Sequence, residues 1–405
     1  MKPSLAPTET KVMGIAMALD GAKIVAHAMK QMNPDVVAVY PITPQTEIVT
    51  TFSEFVASGE VDTEMINVES EHAAMSACIG ASAAGARAQT ATTSAGMAFM
   101  WEVLYVASGS RLPIVMHFVN RALSAPLNIH CDHSDSMGAR DAGWIQLFGE
   151  NVQEAYDNAL QALRIAEHPE VMLPVMHTQD GFVISHGIER AEVLPDGAVK
   201  DFIGTYTPRY SLLDPEGPVS FGPVALQDYY FEFKRQQVEG MDRALEIIPQ
   251  IGEEYGRLTG RSYGLLDPFR MEDAEVAMVI MGSASGTARG VVETLREQGI
   301  AAGLLKIRCY RPFPAQEVAE ALRGKKAVAV MDRSIAFGSQ GNPVFLDICA
   351  ALHTNGLNTK VLNFVYGLGG REVTPRYLEQ AFRDLLEVAR TGETSPVVRY
   401  LGLRE

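Results

Sequence analysis

Two short runs carry the residues best suited to chemistry. Tyr40-Pro41-Ile42-Thr43-Pro44 is a proline-flanked turn that presents a single hydroxyl, and Val68-Glu69-Ser70-Glu71-His72 sets a carboxylate at the head of a run of small residues. Proline fixes its own φ and restricts the residue before it, so the Thr43 hydroxyl is held in a stiff turn. Arg121 follows the apolar run Leu112–Val119, where a guanidinium fork would suit a carboxylate through paired hydrogen bonds. Asp132-His133-Ser134-Asp135 then gathers acid, base and hydroxyl side by side. Ligands that close in sequence would crowd one another around a metal, so a hydrogen-bond network bracing the loop is the favoured reading.

Phosphate-binding signatures are missing. The chain has no G-x-x-x-x-G-K-[ST] loop, no G-x-G-x-x-G after its first strand and no G-D-G followed by asparagine, while Gly282-Ser283-Ala284-Ser285-Gly286 reads as an ordinary helix cap. A hydroxyl and a carboxylate without metal ligands or a phosphate loop suggest half of a cofactor site, completed by another chain. A buried carboxyl at position 71 could share a proton with a ring nitrogen of an aminopyrimidine, the exchange by which thiamine diphosphate deprotonates its own thiazolium carbon. On the residues alone, plainer readings compete. Glu71 reads more readily as a helix-start glutamate, Thr43 equally well as a turn threonine, and Arg121 more readily as the ion-pair partner of Asp132 or Asp135.

The elements that would position these groups alternate. Strands are expected at Val36–Tyr40, Met65–Val68, Gln89–Thr92, Leu112–Val119 and Val171–His177, with helices at Thr46–Ala57, His72–Ala84, Met97–Ala107 and Asn151–Glu167 between them. Strands separated by helices imply a doubly wound parallel α/β sheet. The helix after Glu71 is almost all Ala, Ser, Gly, Met and Cys, so a neighbour or ligand could approach it closely. From about 180 to 258 proline and glycine recur, and this segment is expected to be irregular and bracing, turning helical over Tyr229–Tyr255. A second α/β unit starts near 270, with strands at Val276–Met281, Gly303–Ile307, Ala327–Met331 and Lys360–Phe364, and helices at Gly286–Gly299, Ala315–Leu322, Pro343–His353 and Pro375–Ala389. The resulting division is 1–258 and 259–405.

Composition narrows the function classes. At 405 residues, 47% apolar, the chain can bury a large core. A net charge of -15 argues against nucleic acid, which needs a basic footprint. Cys78, Cys131, Cys309 and Cys349 are far apart with no C-x-x-C, which disfavours a zinc site, a disulfide framework or an iron–sulfur cluster held by this chain alone. No run approaches the ~20 apolar residues of a membrane span. Lys2 and Lys11 lie among polar residues, and the apolar piece Val12–Leu19 stops at Asp20, unlike a secretory signal, so a cytoplasmic protein is expected.

Taken together, the segments resemble the alpha subunit of the 2-oxoacid:ferredoxin oxidoreductases. The similar stretches are Tyr40–Thr46, Val68–Arg87, Leu112–Ile129, Asp132–Asp135, Asn151–Leu160, Asp180–Phe182, Leu304–Pro314 and Tyr366–Glu372, in the family's order over nearly the whole chain. The resemblance implies a pyrimidine-binding domain for thiamine diphosphate followed by a domain like the C-terminal domain of transketolase. It implies that Glu71 contacts the aminopyrimidine, beside Tyr40, Pro41 and Ile42, and that Thr43 and Arg121 bind the oxoacid. It further implies that diphosphate and Mg²⁺ sit on a beta subunit, that [4Fe-4S] clusters sit on the beta and a ferredoxin-like delta subunit, and that a gamma subunit or domain completes a dimer of heteromers. The implied reaction is reversible oxidative decarboxylation, with coenzyme A as acyl acceptor and ferredoxin as electron acceptor. Pyruvate is the first expectation, with 2-oxoglutarate, a branched-chain oxoacid or an aryl one such as phenylglyoxylate as alternatives, and a non-redox thiamine enzyme component as a further one. Where many relatives open the first helix with Gly-Asn, this chain has Gly21-Ala22.

Overall fold

The computed structural model describes residues 11–404; the reading of Lys2 and its neighbours lies outside them. Two sheets organise the chain. The first has seven strands in the order Cys309–Arg311, Ile145–Phe148, Val175–Asp180, Val115–Asn120, Ala88–Thr92, Val36–Val39, Glu64–Asn67. All pairs are parallel except the one made by Cys309–Arg311. Strands such as Val115–Asn120 and Val175–Asp180 are buried along their whole length, as expected of parallel strands covered by helices on both faces.

The covering helices follow from their apolar faces. Gly21–Met32 starts at an Asp20 cap, whose carboxylate accepts Lys23 N at 2.8 Å, and buries Ile24, Val25, Ala28 and Met29. Val152–Ala166 starts at an Asn151 cap and is almost wholly buried. The long helix Tyr230–Thr259 lies across it, and the buried Asp157 carboxylate accepts Tyr255 Oη at 2.5 Å, Tyr263 Oη at 2.6 Å and Arg261 Nε at 2.7 Å.

The second sheet has six strands in the order Val398–Tyr400, Lys360–Val365, Ala327–Asp332, Val276–Ile280, Ala302–Ile307, Leu266–Phe269, parallel except for the last. It is locked to the first by buried charge. Lys306 reaches Glu150 at 2.8 Å and Glu154 at 2.5 Å, and Arg308 reaches Asn158 at 2.8 Å and Gln161 at 3.0 Å. The strand Cys309–Arg311 then crosses into the first sheet.

The segment from about 180 to 258 is more regular than expected. It holds the strand Ile188–Val193, the helix Asp196–Ile203 and the helix Tyr230–Thr259, leaving residues 204–229 without regular structure. Ile188–Val193 pairs antiparallel with Ile15–Asp20, a strand the apolar pattern did not reveal. The helix expected over Met97–Ala107 is two, Ser94–Phe99 and Trp101–Gly109. Among the described residues no helix is long and apolar enough to cross a membrane.

Candidate active site

Strand order places the candidate residues together. The strand Val36–Val39 has its successor Glu64–Asn67 on one side and Ala88–Thr92 on the other, so the winding direction reverses between them. A crevice opens beyond the carboxyl ends of strands at such a point. The ladder pairs Val36 with Ala88 and Val37 with Gln89, and side chains take over beyond it. Thr90 Oγ1 donates to Ala38 O at 2.7 Å, and the buried Gln45 donates Nε2 to Ala91 O at 3.0 Å while its Oε1 accepts Ile42 N at 3.2 Å. Gln45 thereby ties the proline turn to the neighbouring strand, leaving Tyr40, Pro41 and the Thr43 side chain exposed at the crevice and Ile42 half-buried.

Glu71 is the first residue of the helix Glu71–Ala83, whose N-cap Ser70 accepts Ala73 N at 3.2 Å. The glutamate is therefore the helix-start residue of the plainer reading, yet it is 6% exposed and its carboxylate meets no hydrogen-bond or ion-pair partner among the described residues. Gly96 lies against it. A Cβ at Gly96 would stand 2.8 Å from Glu71 Oε1 and 2.5 Å from Thr92 Oγ1. The buried hydroxyls of Thr92 and Thr93 also lack partners. Hydroxyls buried without partners are costly unless something outside the chain completes them.

Arg121 leaves the end of Val115–Asn120 and is 8% exposed. Its Nη1 donates to Thr43 O at 2.8 Å and its Nε to Asn128 O at 3.1 Å, while Nη2 meets no acceptor among the described residues. The ion pair with Asp132 or Asp135 does not form. Asp135 is occupied by N–H donors: Ser94 N at 3.1 Å, Arg121 N at 2.8 Å, Asn120 Nδ2 at 2.9 Å and Ser136 N at 2.8 Å. Burial pushes its carboxyl up to about 7 while these donors pull the other way. Asp135 thus joins the exit of one strand, where Ser94 has a left-handed φ of 43°, to the exit of the next. Asp132 accepts Ser134 Oγ at 2.5 Å and Gly369 N at 3.1 Å, so the loop is a bracing network as its composition suggested.

His133 contributes to a second buried network. Asp180 accepts His133 Nε2 and Arg333 Nη1, each at 2.8 Å, and Ser283 N at 2.9 Å. Burial alone would raise the Asp180 carboxyl, but the charges of His133 and Arg333 overrule it and hold it well below the usual range. The Gly282-Ser283 turn thus grips a carboxylate of the first sheet. Cys131, His133 and Asp180 lie within 4.8 Å of one another, but Arg333 already supplies the cation there.

Tyr40, Phe99 and Trp101 are exposed, and the rings of Phe99 and of His72, the residue after Glu71, are 6.3 Å apart. Sequence reasoning named Thr43, Glu71 and Arg121, and the structure brings Arg121 into contact with the Thr43 main-chain carbonyl. It missed Gln45, Gly96 and the division of labour within the Asp132–Asp135 loop. Neither Gln45 nor Gly96 carried a local signal: each matters for a group that meets it across the fold, the Ala91 carbonyl and the Glu71 carboxylate.

Comparison with known proteins gives a consistent answer. Residues 27–253 match the family model for the pyruvate flavodoxin/ferredoxin oxidoreductase thiamine diphosphate-binding domain, and residues 274–378 match pyruvate:ferredoxin oxidoreductase core domain II. The chain is 52% identical to pyruvate synthase subunit PorA of Thermotoga maritima over 389 residues, 96% of this chain and 98% of that one. It is 40% identical to ketoisovalerate oxidoreductase subunit VorA of Pyrococcus abyssi over 391 residues, 96% and 98% of the two chains. Its fold is like that of 2-oxoglutarate:ferredoxin oxidoreductase from Magnetococcus marinus, with a TM-score of 0.73 at 18% identity, covering 92% of this chain and 65% of that one. A split-gene transketolase matches with a TM-score of 0.55 at 13% identity over 92% of this chain and 100% of that one.

Proposed function

The chain belongs to the pyruvate flavodoxin/ferredoxin oxidoreductase family, and from that premise we propose that it holds the aminopyrimidine end of thiamine diphosphate and the carboxylate of pyruvate within a multi-subunit oxidoreductase. The observation that carries this reading is Glu71, 6% exposed and without a hydrogen-bond or ion-pair partner among the described residues, at the reversal point of the sheet, with Gly96 packed directly against its carboxylate. The donor set fits the coenzyme: an acceptor for a ring nitrogen, unpartnered Thr92 and Thr93 hydroxyls, and a wall of Tyr40, Pro41 and Ile42. It does not include a phosphate cradle among the described residues, so diphosphate and Mg²⁺ are assigned to a beta subunit covering the face that exposes Tyr40, Phe99 and Trp101. The iron–sulfur clusters are likewise assigned to beta and ferredoxin-like delta subunits, with a gamma subunit or domain completing the assembly. The pyrimidine-binding unit is taken as 1–258 and the transketolase-like unit as 259–405.

When bound, thiamine diphosphate supplies the carbon nucleophile and the sink for the electron pair left as carbon dioxide departs. Glu71 passes a proton to and from a ring nitrogen of the aminopyrimidine, a role suited to its buried position. Arg121, its Nε and Nη1 already anchored on main-chain carbonyls, offers Nη2 to the substrate carboxylate. The Thr43 hydroxyl, exposed beside it, donates to the same substrate. Holding the carboxylate fixes the bond to be broken before reaction, so positioning is the main contribution of this pair. Coenzyme A takes the acyl group and ferredoxin the electrons.

Turnover of the purified complex with a panel of 2-oxoacids, coenzyme A and a viologen tests the substrate. Pyruvate is expected to give the highest kcat/KM. A rate with pyruvate that is a small fraction of that with 2-oxoisovalerate or 2-oxoglutarate would overturn the assignment.

A further inference from the structure

Arg121 is the candidate substrate anchor, yet one of its own anchors lies on an exposed arc. Its Nε donates to Asn128 O at 3.1 Å, and residues 124–127 between them are exposed. What holds Asn128 comes from the far end of the chain. Asn128 Nδ2 donates to Gly369 O at 2.9 Å, and Asn128 Oδ1 accepts His130 N at 2.7 Å, so both polar side-chain atoms are engaged. Around this contact, Gly369 N donates to Asp132 Oδ2 at 3.1 Å and Gly370 N to Cys131 O at 2.7 Å. The turn Gly367–Gly370 can approach so closely because Gly369 and Gly370, where it meets Asn128 and His130, lack side chains. Gly367, Gly369 and Gly370 have φ of 61°, 56° and 78°, and a Cβ at Gly369 would stand 2.4 Å from Asn128 Nδ2.

We propose that Asn128 is a positioning residue for the substrate carboxylate, through which the glycine turn of the C-terminal unit sets the aim of Arg121. This rests on the reading of Arg121 given above. It gives the C-terminal unit a part in the reaction: Gly369 fixes Asn128, Asn128 fixes the guanidinium, and the guanidinium meets the substrate. Asn128→Asp is the sharpest perturbation, because it keeps the shape, removes both N–H donors and sets a carboxylate oxygen against Gly369 O.

The test is steady-state kinetics of the assembled complex carrying Asn128→Asp, Gly369→Ala, Arg121→Ala, and Arg121→Ala with Asn128→Asp. Melting temperature, partner content and thiamine content serve as checks on assembly. Asn128→Asp is expected to raise the oxoacid KM about tenfold with a smaller loss of kcat. Gly369→Ala, which strikes the same contact from the other side, is expected to act in the same direction and carries the test should Asn128→Asp not assemble. Because Asn128 acts through Arg121, the double variant should be no worse than Arg121→Ala alone. A raised KM in Arg121→Ala with unchanged KM in both other single variants, or full additivity in the double, would overturn the positioning role and leave the Arg121 reading intact. An unchanged KM in Arg121→Ala would overturn that reading, and the positioning role with it.

Discussion

Gly96→Ala separates the aim of the glutamate from the stability of the fold. The added methyl would stand 2.5 Å from Thr92 Oγ1, 2.8 Å from Glu71 Oε1 and 2.9 Å from Glu71 Cγ, where ordinary contact begins at 3.4 Å. Restoring that separation moves the Glu71 carboxylate by about 0.6 Å, since 3.4 less 2.8 is 0.6. The Thr92 hydroxyl can turn away cheaply, because it has no partner to lose. Forcing Glu71 off its rotamer costs about 0.5–1.5 kcal/mol. Replacing a helical glycine by alanine returns about 0.5–1 kcal/mol. Net stability should therefore change by less than about 1 kcal/mol. Catalysis should not be so forgiving: a misplacement of about 1 Å can cost about 10²-fold, so a loss of about 10- to 100-fold in kcat is expected. The assay is pyruvate-dependent viologen reduction by the assembled complex, alongside thermal melting of the same preparation. Unchanged kcat with unchanged melting would mean that Gly96 does not hold the Glu71 carboxylate in place.

Two further outcomes concern the buried charges. His117 Nδ1 and His177 Nε2 lie 2.6 Å apart in the middle of the first sheet, and burial pushes His177 down to about 3 and His117 well below its ordinary value. An unfolded histidine binds its proton near pH 6.5. The stability that neutral His177 provides is therefore present above that pH and lost as pH falls from about 6.5 towards 3, at up to about 1.4 kcal/mol per pH unit. Burial raises Asp135 and Asp332 to about 7, which acts in the opposite direction over an overlapping range, so the effect is read as the stability gap between wild type and His177→Gln. Urea unfolding should show the gap shrinking between pH 6.5 and 5.5, and a gap independent of pH would contradict this. Asp180→Asn removes the charge that Arg333 and His133 face, and truncating one partner of a buried pair costs about 3–5 kcal/mol. The denaturation midpoint should fall accordingly; an unchanged midpoint would show that the network does not tie the two sheets together.

Much of the frame was legible from the sequence because its signals are local. The helices Thr46–Ala57 and Ala315–Leu322 begin and end where their patterns do. Glu71 and Arg121 stand out for following apolar strands, though on the residues alone a plainer reading of each is favoured until the family resemblance is weighed. What escaped is long-range. Ile15–Asp20 is a strand because Ile188–Val193 lies beside it, a pairing that no local window contains. Gln45 looks like any polar residue before a helix, and its importance comes from the Ala91 carbonyl on the neighbouring strand. Proximity in sequence suggested that Asp135 would neutralise Arg121, whereas the carboxylate is taken by N–H groups and leaves the guanidinium uncommitted. Gly96 and Gly369 are needed for what crosses them, Glu71 in one case and Asn128 in the other, and spacing along the chain does not encode a crossing.

Glu71→Gln tests the centre of the account most directly, since glutamine keeps the shape of the residue and cannot carry a transferable acid proton. The complex should assemble with its partners and coenzyme, while pyruvate-dependent viologen reduction falls by at least about 10²-fold, the usual scale of a lost acid–base group. Turnover at the wild-type level in that complex would contradict a catalytic role for Glu71.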